Sequence, residues 1–114
     1  VSCNLYLTPG VSSDDGVERK SGFETHWDWM DVLVVQISGE KLWSVAKEPT
    51  VYLSTIDLKQ KPTMEQVQNT PHYNDILLKP GDVLYIPRGF AHNASTVATS
   101  GDSKGLPSLH LTYG

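Results

Sequence analysis

Strand-sized runs of β-branched and aromatic residues recur along this chain, each cut short by turn residues, and no long amphipathic helix separates them. That pattern confines the fold to an all-β sandwich or barrel. Asn4-Leu5-Tyr6-Leu7-Thr8 is β-prone and stops at Pro9-Gly10. Phe23 to Asp28 reads as a second strand. Asp31 to Ser38 is nearly continuous in apolar residues at its centre, which predicts a strand covered on both faces. Gly39-Glu40 turns it into Lys41 to Ala46, and Val51-Tyr52-Leu53 is a further short candidate. Thr63 to Gln68 has room for one or two helical turns. Asp75 to Leu78 and Val83 to Ile86 flank Lys79-Pro80-Gly81-Asp82. There proline presets φ at one central turn position and glycine accepts a positive φ at the next. Ala91 to Ala98 and Ser108 to Tyr113 read as closing strands around a polar loop. Eight or so strands of this kind make a double-sheet jelly roll of cupin type, a double-stranded β-helix, the expected fold.

The bulk properties exclude several classes. A chain of 114 residues fits one domain, and a domain near this size buries roughly two-thirds of its unfolded surface. Cys3 is the only cysteine, so neither an intrachain disulfide nor a cysteine-rich zinc site can form. One free thiol suits a reducing, intracellular compartment. The net charge is −4 and scattered, so no basic block marks a nucleic-acid groove. No apolar run approaches membrane-spanning length. The chain opens and closes on strand-like runs. The expectation is one catalytic domain over residues 1–114, the central part of a longer protein.

The chemistry concentrates in a few positions. His26, Trp27 and Asp28 form an H-x-D triplet, and His92 closes Pro87-Arg88-Gly89-Phe90-Ala91-His92. Along a strand residues i and i+2 share a face, so His26 and Asp28 point one way and Trp27 the other. Two imidazoles and a carboxylate on one face of a metal leave coordination positions open, the signature of non-haem Fe(II) oxygenases. Taken singly, each residue is more ordinary as a surface or core side chain. Lys41 changes that balance. It lies just behind the Gly39-Glu40 turn, where an ammonium can pair with the far carboxylate of an acid that chelates the iron. Its plain alternative is a solvated hairpin lysine. Trp27, Trp29 and Trp43 read as packing around the site, and residues 47–74 and 99–107 as the frame of its mouth.

The runs THWDWMDVLVVQISGEKLW, LKPGDVLYIPRGFAHNA and SLHLT together resemble the JmjC-domain 2-oxoglutarate oxygenases. Within them the chain is most similar to the ribosomal oxygenase branch, of the Myc-induced nuclear antigen and nucleolar protein 66 type. The resemblance covers nearly the whole chain and implies Fe(II) held by His26, Asp28 and His92, with O2 and 2-oxoglutarate as co-substrates. It assigns Lys41 to the far carboxylate of 2-oxoglutarate. It places Asn4 and Tyr6, an N-x-Y pair, and His110 in the co-substrate pocket. It further implies a protein substrate: a histidine, or in bacterial members an arginine, of a ribosomal protein. For a eukaryotic member it implies a nuclear or nucleolar location, and it leaves a homodimer open through regions outside this chain. Two departures stand out. Residues 10–22 look like an insertion, and Gly114 stands where the family often has a serine that assists the co-substrate.

Three rival readings stay open. One keeps the oxygenase but makes it a histone lysine demethylase, with formaldehyde as the diagnostic product. Another is a cupin binding module that keeps a metal site without turnover. A third, a zinc hydrolase, leaves Lys41 without a purpose.

Overall fold

The computed structural model describes residues 2–10, 21–51, 61–96 and 107–114. They form eight strands and one short helix. The strands are β1 (Cys3–Thr8), β2 (Ser21–His26), β3 (Val32–Ser38), β4 (Lys41–Ala46), β5 (His72–Leu78), β6 (Val83–Ile86), β7 (His92–Thr96) and β8 (Ser108–Tyr113). The helix, α1, is Met64–Asn69. Thr63 caps it in a reciprocal box, its hydroxyl accepting from the Gln66 N–H while the Gln66 side chain accepts from the Thr63 N–H.

The strands divide into two antiparallel four-stranded sheets, ordered β1-β8-β3-β6 and β2-β7-β4-β5. The chain passes repeatedly from one sheet to the other, which is the double-sheet jelly roll expected of a cupin. Val32 and Val34 from one sheet and Trp43, Val45 and Ala94 from the other form the buried core, with Leu78 and Ile86 closing it. The Pro80-Gly81 turn forms as its composition requires. Gly81 takes φ of 95°, and the Asp82 carboxylate accepts from the Lys79 N–H at 2.8 Å.

Several boundaries differ from the sequence expectation. β5 begins three residues earlier, at His72. Val51 lies outside any strand, and residues 52, 53, 97 and 98 fall outside the described residues, as does most of the expected insertion at 10–22. β3 is not covered on both faces. Val32, Val34 and Gln36 are buried, whereas Leu33 and Ile37 are 44% and 45% exposed. Its apolar run serves two faces, only one of which the other sheet covers. Lys41 is fully buried, not a solvated hairpin lysine. Trp27 and Trp43 are buried, whereas Trp29 is 39% exposed and lies outside the core.

Candidate metal centre and co-substrate pocket

Strand register brings the two histidines together. β2 pairs with β7 so that His26 lies opposite His92, and opposed residues present their side chains on the same face. The rings meet edge to face with centroids 4.4 Å apart. β2 ends at His26, so Asp28 is delivered by the following loop and not by strand alternation. That loop is held by the turn that enters β7, the neighbour of β2 in the same sheet. The Gly89 N–H donates to the Asp28 carbonyl at 2.9 Å, and the Arg88 N–H donates to the Asp31 carboxylate at 2.9 Å. Gly89 takes φ of 81°, a conformation that carries no Cβ penalty only for glycine. The Pro87-Arg88-Gly89 turn therefore locks the Asp28 loop to the entry of β7, and with it to His92.

The donor atoms converge. His92 Nε2 lies 3.3 Å from Asp28 Oδ2, and His26 Nε2 lies 3.9 Å from Asp28 Oδ1. One ligand atom from each residue falls within 4.8 Å of the others. The second ring nitrogens are already engaged: His26 Nδ1 donates to the Glu24 carbonyl at 2.8 Å, and His92 Nδ1 donates to the Phe90 carbonyl at 2.9 Å. A carbonyl only accepts, so each ring carries a proton on Nδ1 and turns Nε2 toward the carboxylate. Two Nε2 atoms converging on a carboxylate call for a shared positive charge, a proton or a metal ion. Such a backbone-anchored Nδ1–H is the arrangement that orients a metal-ligating histidine. Burial pushes the Asp28 carboxyl up. When that positive charge is a proton on the imidazoles, the hydrogen bond and charge of His92, followed by the charge of His26, outweigh burial and hold the carboxyl below the usual carboxylate value. A set of two imidazoles and one carboxylate with room beside it fits an Fe(II) ion.

That room is a cavity of about 150 Å³ between the sheets, bounded by the three donors and by Asn4, Tyr6 and His110. Asn4 and Tyr6 lie on the inward row of β1, across from Thr112 and His110. Tyr6 stacks on His110 with centroids 4.9 Å apart, and Trp43 meets the same imidazole edge-on at 5.5 Å. Lys41 lies behind this wall, its Nζ donating to Thr8 Oγ1 at 2.7 Å. Burial lowers the Lys41 pKa to about 8. Burial first, and then the charge of Lys41, press His110 down to about 4. His110 is thus a neutral imidazole at neutral pH, and the positive charge of the pocket rests on Lys41.

Six of the seven residues singled out in the sequence, His26, Asp28, His92, Asn4, Tyr6 and His110, line one cavity, and Lys41 is buried outside its lining. Sequence reasoning missed Thr8, the hydroxyl that holds Lys41. The signal was present, since Asn4, Tyr6 and Thr8 share the i, i+2, i+4 face of one strand. It also missed Met30, which lines the cavity beside Gly114. A Cβ at position 114 would collide with the Met30 sulfur. The space that a serine side chain would need is filled by a thioether, so the departure at Gly114 is coupled to Met30. Among the described residues of 47–74 and at Pro107, none lines the cavity. The lining beyond the expected set comes from β3, β4 and β8 and from residues beside β1, β3 and β8, while residues 52–60 and 99–106 of the expected frame of the mouth lie outside the described residues.

This double-stranded β-helix with a His-Asp-His cluster is of the cupin class. The JmjC domain family profile matches residues 1–112, and the chain belongs to that family. It is 37% identical over 109 residues to ribosomal oxygenase 1 of Homo sapiens, covering 96% of this chain and 15% of that protein. It is 35% identical over 114 residues to the bifunctional lysine-specific demethylase and histidyl-hydroxylase NO66 of Drosophila persimilis, covering 98% and 14%. The chain thus spans about 15% of the length of these curated relatives. Among solved structures it is similar in fold to the ribosomal oxygenase YcfD of Escherichia coli in complex with cobalt and 2-oxoglutarate. That likeness has a TM-score of 0.52 at 22% identity and covers 97% of this chain and 22% of that one. It is likewise similar in fold to hydroquinone 1,2-dioxygenase of Sphingomonas sp. TTNP3, with a TM-score of 0.56 at 13% identity, covering 96% and 56%.

Proposed function

We propose that this chain is the catalytic domain of an Fe(II)- and 2-oxoglutarate-dependent protein hydroxylase that acts on a histidine, or an arginine, of a ribosomal protein. The observation that carries the reading is the convergence of His26, Asp28 and His92 within 4.8 Å, with both histidines presenting Nε2, in a chain that belongs to the JmjC family. His26, Asp28 and His92 would hold the iron. The iron, when bound, supplies oxygen activation, coupled to decarboxylation of 2-oxoglutarate to succinate and CO2.

The residues of the chain itself do the rest. Lys41, with a pKa of about 8, is predominantly protonated at neutral pH. A carboxylate reaching it recovers part of the desolvation cost that lowered that pKa. Tyr6 and Asn4 add polar contacts along the same wall, and the Thr8 hydroxyl fixes the ammonium. Neutral His110 bounds the cavity without adding a second cation. The apolar flank of Met30, Val32, Val34 and Trp43 keeps the reacting space dry. The protein substrate follows from the relatives named ribosomal oxygenase and histidyl-hydroxylase.

The test is Fe(II)-dependent conversion of 2-oxoglutarate to succinate by the full polypeptide that contains this chain, with ribosomal-protein peptides present. The expected result is succinate stimulated by one peptide, which gains the mass of one oxygen atom. A second reading, N-methyl-lysine demethylation, is favoured by the bifunctional name of several relatives. It would show instead as formaldehyde and the loss of one methylene unit from a methylated peptide. Absence of both, with iron bound, would leave a non-catalytic cupin module.

A further inference from the structure

The space between the sheets has two unlike ends. Ser2, Asn4, Tyr6 and Thr8 follow one another on one face of β1 and the residue before it, spanning about 20 Å at ~3.3 Å per residue. At one end the Thr8 hydroxyl holds the Lys41 ammonium at 2.7 Å. At the other, Ser2 and Gly114 exchange backbone hydrogen bonds, the Ser2 N–H donating at 2.7 Å and the Gly114 N–H at 3.0 Å. Met30, two residues beyond Asp28, lines the cavity together with Ser2 and Gly114. Its side chain is partly buried against the core, and its sulfur fills the space where a side chain at 114 would begin. A co-substrate that reaches Lys41 leaves the Met30 end to the group that receives oxygen.

We propose that the Met30 thioether is itself an oxygen acceptor, converted to the sulfoxide when the site turns over without a protein substrate, an activity that rests on the oxygenase function proposed above. A thioether takes up an oxygen atom through a sulfur lone pair, with no C–H bond to break. The step balances with the reagents of the reaction itself. The O–O bond breaks, as does the bond between the keto carbon of 2-oxoglutarate and its adjacent carboxylate. That carboxylate leaves as CO2, one oxygen atom enters succinate, and the other forms the S–O bond. 2-Oxoglutarate supplies half of the electrons that O2 takes up, and the sulfur supplies the other half. No proton is gained or lost at sulfur. The product is polar and chiral where the wall was apolar, so it opposes the dry space that Met30 maintains with Val32 and Val34. An idle site thus silences itself, and a methionine sulfoxide reductase restores it.

Met64 is a built-in reference. It is the only other methionine of the chain and is 72% exposed, on α1. The full polypeptide that contains this chain is loaded with Fe(II), given 2-oxoglutarate and isotopically heavy O2 without any peptide substrate, and digested for tandem mass spectrometry. Met30 is expected to gain one heavy oxygen at least about 10-fold faster than Met64, the reverse of the order that exposure dictates. The gain should require 2-oxoglutarate, and a methionine sulfoxide reductase should remove it. The rate of succinate formation should decline in step with the label. Met30→Leu, which roughly conserves volume, should hold its own initial rate several-fold longer. Succinate formed while Met30 stays unlabelled would overturn the inference and leave the oxygenase reading standing. So would heavy oxygen on Trp27 or Trp29 instead, or Met64 oxidised first. Absence of succinate with or without peptides, with iron bound, would overturn both.

Discussion

The two sheets of this sandwich present opposite outer faces. The β2-β7-β4-β5 sheet turns hydroxyls and amides outward. Asn93 donates to Thr25 across β2 and β7 at 3.1 Å, and Ser44 donates to Asn74 across β4 and β5 at 2.7 Å. Its inward side carries Trp43, Val45 and Ala94 together with His26, Lys41 and His92. The other sheet turns Leu5, Leu33, Val83 and Tyr85 outward and keeps Asn4, Tyr6, Gln36 and His110 inside. Both sheets are amphipathic with the same period of two, yet one is inverted. Alternation says that a strand has two unlike faces; it does not say which face looks into the molecule. A polar pocket between the sheets is what permits the inversion.

That contrast can be broken or sharpened by experiment. The largest effect is expected from Asp28→Ala, which should lower metal affinity by more than about 100-fold and abolish iron-dependent turnover while circular dichroism stays unchanged. Retained turnover would sink the metal assignment. Trp43→Ala should cost about 3–5 kcal/mol in urea unfolding, because its indole packs between the sheets against His110 and the core valines. Lys41→Ala should raise the apparent KM for 2-oxoglutarate about 10- to 100-fold, the worth of a charge-assisted hydrogen bond. An unchanged KM would give the far carboxylate to another residue.

The next effect is one of pH. The unfolded chain takes up a proton at His110 near pH 6.5, whereas the folded chain refuses it until about 4. Stability should fall as pH drops through that window, and His110→Phe should flatten that part of the profile. The smallest effect belongs to the wetted outer face. Asn93→Ala, which removes one partly buried side-chain bond, should cost about 0.5–1 kcal/mol. A larger loss would mean that the Asn93–Thr25 bond is shielded from water and leaves an unsatisfied group behind.

The fold class was legible because turn chemistry and strand length are local properties. The donors His26, Asp28 and His92 were legible because their residue types are rare in combination. What escaped was set by context. The end of β2 at His26 depends on the Gly89 and Arg88 contacts to the Asp28 loop, which no local pattern announces. The half-covered state of β3 could not be told from full cover, because its run DVLVVQIS is apolar on both faces. The coupling of Gly114 to Met30 joins residues from different strand ends, and nothing in either segment names the other.

The pairing of His26 with His92 in register has a consequence for how the chain folds. The two residues are distant in sequence, and bringing them together requires the closure of a long loop, an unfavourable step in chain entropy. Each imidazole is oriented by a carbonyl two residues before it, so neither has to wait for distant partners before it can bind. A divalent ion present during folding would therefore fasten β2 to β7 early. It would act as a removable cross-link, and refolding with and without such an ion should differ in rate as well as in final stability.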